Sequence, residues 1–314
     1  MHKYKEIQNQ VKSYLFIVCA AVLWASSGTA SKYLFNAGMS PYVLVQYRVS
    51  FSAIIIGGYL LLFKPHLLKI KVRDLWNFAA LGAGMGGVQV AYLFAISKIN
   101  VAIAILLEYL TPFFVAIYSS LFFNETMDRW KMFSVFMAFI GCFFAVEAYN
   151  VSIFTLNRQG IFAGFLSAIF FSFYTIQGER MMRRYHPWTV LFYAFAFSTL
   201  YYNIILPPGN LLLPEIELKG ALTVAYIVTI GTVIPFGLYY MGIEYLRSTR
   251  ATVVATLEPI SAGIFSFILL GEVLTLWQIF GGILVIVSII IIQSKKEIDL
   301  EAPVYKRLSL AKGK

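Results

Sequence analysis

Ten apolar runs, each long enough to cross about 30 Å of hydrocarbon at roughly 1.5 Å per residue, constrain this chain more than any other feature. They cover approximately residues 14–35, 42–63, 75–95, 101–123, 130–147, 160–181, 188–206, 221–246, 251–270 and 276–293, each bounded by charge, proline or glycine. Backbone polar groups in lipid must be satisfied internally, and a barrel strand would be half this length with alternating polarity, so the runs predict helices. The expected fold is an all-α polytopic membrane protein with ten transmembrane helices. Composition agrees, because a chain that is 60% hydrophobic and only 13% charged has too little polar surface for a water-soluble globule.

A second pattern divides the runs. Shifting the chain by 147 positions superimposes Tyr92 on Tyr239, Ala95 on Gly242, Ala104 on Ala251, Pro112 on Pro259, Glu125 on Glu272 and Trp130 on Trp277 without a gap. Chance agreement between two Leu/Ile-rich segments is the competing explanation. The repeat gives a first half at 1–148 with spans 1–5, a second at 160–293 with spans 6–10, and a cytoplasmic tail at 294–314. Five spans is an odd number, so the second half enters the membrane from the opposite face, an inverted repeat of the kind found in many secondary transporters.

Basic residues set the orientation. Lys3, Lys5 and Lys12, the alternate connections 64–74, 124–130, 181–187 and 247–250, and the tail carry nearly all of them; the other side holds Lys98, Arg158 and Lys219. Both termini are therefore expected in the cytoplasm of a cell-membrane protein. The same reading removes nucleic acid as a partner, since the net charge of +10 is spread over short loops. The first run is far longer than the core of a signal peptide, so it is read as a retained span. Expected partners are the lipid bilayer and a small-molecule solute, and self-association into a homo-oligomer stays open.

Catalytic and cofactor chemistry find no footing. Cys19 and Cys142 both lie in apolar runs with no metal-ligand spacing. Asp74, Asp128 and Asp299 lie outside the spans, and His2, His66 and His186 fall in cytoplasmic segments, so neither an intramembrane aspartate pair nor a buried Ser/His centre is built. There is no phosphate-binding Gly-Lys-Ser/Thr loop for an ATP-driven pump. A channel would tolerate the repeat, but no ring of like charges or filter sequence is present. No cofactor and no metal are expected.

Charges inside the spans are the informative residues, because each costs about 2.5–3.5 kcal/mol at a helix centre on insertion scales. Lys32, Arg48, Glu108 and Glu258 qualify. Two cations and an acid at similar depth suit a zwitterionic solute; a structural Arg48–Glu108 pair between spans 2 and 4 fits equally. Polar and aromatic residues at helical spacing accompany them: Trp24, Ser27 and Ser31, then Gln89 and Tyr92, then Tyr174 and Gln177, then Thr252 and Thr256. Spacing of three or four puts each set on one helix face, lining either a cavity or an interhelical hydrogen-bond network. Pro112, Pro235 and Pro259 each remove a backbone donor inside a span and free a carbonyl. Gly84 and Gly86, in a glycine-dense third span, allow either close packing or a bend.

The ordered set of Trp24, Pro41, Arg48, the run Ala95 to Glu125, Gly160, Tyr174, Pro187 and the run Gly242 to Glu272, with Leu257-Glu258-Pro259 inside it, resembles the drug/metabolite transporter superfamily, EamA type. The resemblance covers nearly the whole chain. It implies ten helices in two inverted repeats and movement of small organic solutes, often outward and including amino acids. Asn124-Glu125 stands where Gly-Glu is more usual, and Glu108 where many relatives carry an uncharged residue. Residues and resemblance together lead to a permease working by alternating access, an exporter of small metabolites. A channel-like facilitator is the alternative, with a membrane-embedded enzyme behind it.

Overall fold

A computed structural model describes residues 2–99, 101–123, 127–149, 157–207, 209, 218–270, 275–294 and 302–312. The described chain is helical throughout, with no strand. The helices are α1 (His2–Asn36), α2 (Pro41–Phe63), α3 (Leu75–Lys98), α4 (Val101–Glu108), α5 (Thr111–Phe123), α6 (Arg129–Ala145) and α7 (Arg158–Met182), followed by α8 (Pro187–Ile205) and α9 (Leu218–Val228). A π-turn at Thr229–Val233 joins α9 to α10 (Ile234–Ala255), and α11 (Leu257–Leu270), α12 (Leu276–Ser294) and α13 (Pro303–Lys312) complete the chain.

Local chemistry explains where several helices begin. Asp128 and Asn157 accept backbone N–H groups at the starts of α6 and α7, the His186 imidazole does so for α8, and Pro41 and Pro187 sit at first helical positions where no donor is needed. Among the described residues seven helical stretches, rather than ten, are both long and apolar enough to cross a membrane, with Leu276–Ile292 a shorter apolar helix. The difference lies in three expected spans: 130–147 is the 17-residue α6, 251–270 is divided between the end of α10 and the 14-residue α11, and 276–293 falls on the shorter apolar helix. Helix geometry also departs from expectation within the spans. The expected span 101–123 is interrupted at Tyr109–Leu110, between α4 and α5. The expected connection 247–250 is a kink rather than a loop, because Arg247 alone leaves helical geometry (φ 65°) and the chain resumes as helix to Ala255. The Asn124-Glu125 turn, Gly271-Glu272, most of the 149–159 link and most of the 207–219 loop lie outside the described residues.

The strongest packing always joins an early element to a late one. α1 lies along α10, α3 along α7 and α8, α2 along α8, and α6 along α12. At the last seam backbones nearly touch: a Cβ on Gly281 would stand 2.5 Å from the Gly141 carbonyl, so only glycine fits. α3 runs unbroken through Gly84 and Gly86, and a Cβ on Gly84 would meet Phe173 at 2.7 Å, so here the glycine serves close approach. On the outside, large apolar side chains such as Leu62, Phe63, Trp76, Ile204, Ile205 and Leu222 are exposed. A surface of that kind belongs against lipid.

One end of the bundle is tied together by polar contacts. Asp74 accepts from the Arg184 guanidinium at 3.1 Å and the Tyr185 hydroxyl at 2.7 Å, while Thr189 and Tyr193 donate to the carbonyls of Leu67 and Leu68. The tail, expected as solvated chain, contributes α13 to the same end; Ala302 and Val304 are buried and Arg307 pairs with Glu244. Residues 295–301 of that tail lie outside the described set.

Candidate functional site

Each of the three prolines inside the bundle lacks the N–H that would bond the carbonyl four residues earlier. Pro112 frees the Glu108 carbonyl, which the Thr111 hydroxyl takes at 2.6 Å. Pro259 frees the Ala255 carbonyl, which the Tyr109 hydroxyl takes at 2.6 Å from the other half of the chain. Pro235 frees the Gly231 carbonyl in the π-turn, and Arg48 of α2 reaches it through Nη2 at 3.4 Å while its Nε donates to Thr232 Oγ1 at 2.9 Å. The α4/α5 and α10/α11 breaks are one repeat offset apart in sequence and touch in space. Tyr109 spans them, its hydroxyl also 2.9 Å from Glu258 Oε2.

Around these breaks lies a small cavity lined by Trp24, Ser27, Gln89, Tyr92, Glu108 and Glu258, with Arg48, Tyr109, Phe171 and Phe236 also in its wall. It offers about 40 Å³ to water centres. That is room for a few waters and far below the roughly 300 Å³ of a small-molecule pocket. One wall is aromatic: Trp24 packs on Phe236, Tyr239 and Phe171 at centroid distances of 5.0, 5.3 and 5.9 Å. Unsatisfied polar atoms lie in the same lining. Trp24 Nε1, Ser27 Oγ and Tyr92 Oη are buried with no protein partner, and each such atom costs about 1–3 kcal/mol unless water or a bound molecule satisfies it. Arg48, Glu108 and Glu258 are near enough for their charges to interact, yet among the described residues no carboxylate comes within the 4.0 Å ion-pair distance of Arg48. The site can therefore meet a positive group, a negative group and a planar apolar surface within one small volume.

The other residues singled out from sequence fall elsewhere. Lys32 lies one turn beyond Gly28 on the same face of α1, and its ammonium donates to the carbonyls of Ile96 and Ile99 at 2.6 and 3.3 Å, where α3 ends. Gln177 bonds Asn77 near the polar end of the bundle. Tyr174 is fully buried behind the aromatic wall, stacked on Tyr240 at 4.9 Å. At the Arg247 kink Glu179 is nearly inaccessible; it accepts from Ser248 N–H at 2.8 Å, Arg247 Nε at 3.2 Å and Arg183 at 3.4 Å. A carboxylate at the restarted helix's N-terminus and an ammonium at the C-terminus of α3 both match the helix dipole. Sequence reasoning missed Tyr109, Phe171, Phe236 and Tyr239 as parts of this region. Tyr109 adjoins Glu108, and Tyr239 is the repeat partner of Tyr92, so two of the four carried a signal.

Comparison with known proteins adds to this geometry. The model of the EamA-like transporter family matches residues 11–146 and again 158–294. The chain is 28% identical to an uncharacterized inner membrane transporter, YicL, of Salmonella typhimurium over 90% of its own length and 95% of that protein's. It is 24% identical to the riboflavin transporter ImpX of Fusobacterium nucleatum, covering 90% and 98%, and 27% identical to the pseudopaline exporter CntI of Pseudomonas aeruginosa, covering 66% and 71%. A crystal structure superimposes at a TM-score of 0.70 over 89% of this chain and 95% of its own, with 17% identity, a likeness of fold alone.

Proposed function

Because this chain belongs to the EamA-like transporter family, we propose that it is a secondary transporter whose two inverted five-helix halves alternate access around the cavity at the paired helix breaks. That it is a multi-pass membrane transporter follows from the family and from helices long and apolar enough to span. The ten-span count, the 1–148 and 160–293 halves, export as the direction and cytoplasmic termini in the cell membrane are part of the proposal. The proposed solute is a small metabolite bearing a carboxylate, an ammonium group and an apolar or planar part, of which an amino acid is the simplest case. The relatives named for riboflavin and for pseudopaline differ in solute, so the choice of class rests on the site.

One observation carries the reading: Arg48, Glu108 and Glu258 line a single small cavity beside the two helix breaks. Isolated charges in hydrocarbon are expensive, and these lie against broken backbone, water-sized space and an aromatic wall. Arg48 would take the solute carboxylate, Glu108 and Glu258 its ammonium group, and Trp24 with Phe236 its apolar part. The cavity's size corresponds to a closed state, so the solute enters only when the halves separate.

The test is flux of candidate zwitterions into vesicles holding the purified protein, without ATP. Saturable uptake lost in Glu108→Gln, with the variant still folded and inserted, is the expected result. Parental flux from the double variant Glu108→Gln with Arg48→Gln would overturn the assignment of this site, because a pair of purely structural charges is dispensable together.

A further inference from the structure

The polar end of the bundle holds a second recess, of about 460 Å³, between the last turn of α7 and α13. Its walls are Arg180 from the last turn of α7, Arg183 and Arg184 just beyond it, Lys306 and Ser309 from α13, and Asn77 from α3. α13 is fixed there by Arg307, which donates to the terminal carbonyls of Met182 and Tyr185 at 3.0 and 2.9 Å and pairs with Glu244. That anchoring sets Lys306 and Ser309, three residues apart and so on one helix face, opposite the arginines.

The described acids that bond these arginines are already shared. Glu179, beside Arg183, also holds Arg247 and the Ser248 N–H; Asp74, beside Arg184, also holds the Tyr185 hydroxyl. Arg180 is exposed. Guanidinium forks, an ammonium and an amide around one recess form a donor set suited to phosphate oxygens, the Ser309 hydroxyl already donating to the Lys306 carbonyl at 2.8 Å. The place in the fold adds to this, since the recess sits where apolar helix gives way to the polar end, at headgroup level.

The geometry points to a binding site for a phosphate group between α7 and α13, filled either by the headgroup of an anionic phospholipid or by a soluble phosphate. It is independent of the cavity at the helix breaks and would stand if the solute assignment there failed. Since α13 also rests on α10, occupancy fastens α7, α10 and α13 to one another.

The test uses the full-length protein in nanodiscs of phosphatidylcholine, of phosphatidylcholine with phosphatidylglycerol, and of phosphatidylcholine with added inorganic phosphate, read by retained lipid in native mass spectrometry and by thermal unfolding. Retention of phosphatidylglycerol with a raised melting temperature identifies a lipid headgroup; protection by inorganic phosphate in neutral lipid, beyond that given by chloride at equal ionic strength, identifies a soluble ligand. Either effect should fall about thirtyfold in apparent affinity in the double variant Arg180→Gln with Lys306→Gln, at about 1 kcal/mol per surface cation. Arg158→Gln, at the opposite end of α7, should leave it unchanged. Arg180→Gln alone, at an exposed position, gives the same comparison should the double variant fold poorly. Equal response to chloride and phosphate with no preference for phosphatidylglycerol, or full binding by the variants, would overturn the site.

Discussion

Replacing Tyr109 by phenylalanine probes the contact between the two helix breaks with the least disturbance of packing. The ring is 5% exposed and stays; only the hydroxyl goes. The Ala255 carbonyl, 2.6 Å away, then has no donor, because Pro259 cannot supply one. An orphaned carbonyl in apolar surroundings costs about 1–3 kcal/mol, and loss of the hydroxyl's second contact, to Glu258, adds to that. The two components separate in a double-mutant cycle with Pro259→Ala. In that background residue 259 regains an N–H that can bond Ala255, so the carbonyl component disappears while the Glu258 component persists. Reversible unfolding in detergent micelles should therefore show Tyr109→Phe costing about 1–3 kcal/mol less in the Pro259→Ala background than in the parent. Equal costs in the two backgrounds, within about 0.5 kcal/mol, would refute the idea that this hydroxyl replaces the donor the proline removed.

The same reasoning makes Thr111→Val destabilising by about 1 kcal/mol or more in the parent and nearly neutral beside Pro112→Ala, measured the same way. Lys32→Met, which uncaps the end of α3, should lower the melting temperature while leaving the KM for solute unchanged, whereas Trp24→Ala should raise KM. Stability should also depend on pH through His186, whose pKa burial, Arg307, Lys64 and His66 together lower to about 4. The unfolded chain takes up a proton near pH 6.5, while the folded imidazole stays neutral and accepts the Trp188 N–H. Stability present above pH 6.5 is thus lost progressively down to about pH 4, and His186→Asn, which keeps a capping acceptor, should flatten that slope in pH-dependent melting. Single cysteines at positions 71 and 183 should resist labelling from outside intact cells, and strong external labelling at either would reverse the proposed orientation.

Several parts of this structure were legible in the sequence because they follow from one residue at a time. A proline inside an apolar run must free a carbonyl, and both repeat prolines, Pro112 and Pro259, mark helix breaks. A charge inside such a run must find company, and Arg48, Glu108 and Glu258 line one cavity. What stayed hidden depends on partners far away in the chain. Nothing near Arg247 announces a positive φ; the kink is held by Glu179, on another helix, through Ser248 N–H and the guanidinium. Depth counted from a helix end placed Lys32 beside Glu108, but depth does not say which polar atoms a long side chain will reach, and its ammonium ends on carbonyls of α3. Phe171 and Phe236 are two phenylalanines among 28, and only the packing of helices distant in the chain brings them onto Trp24.

The pairing of early helices with late ones bears on how the protein is made. α1 has its main neighbour in α10, and α6 has its own in α12, where the Gly141–Gly281 contact cannot form until synthesis has passed residue 281. During synthesis the first five expected spans are therefore inserted while the surfaces that will hold them together do not yet exist. Small-residue faces such as that of α6 stay open to lipid, or to other nascent chains, until translation delivers their partner. The seam between α6 and α12 thus closes only once α12 has been made.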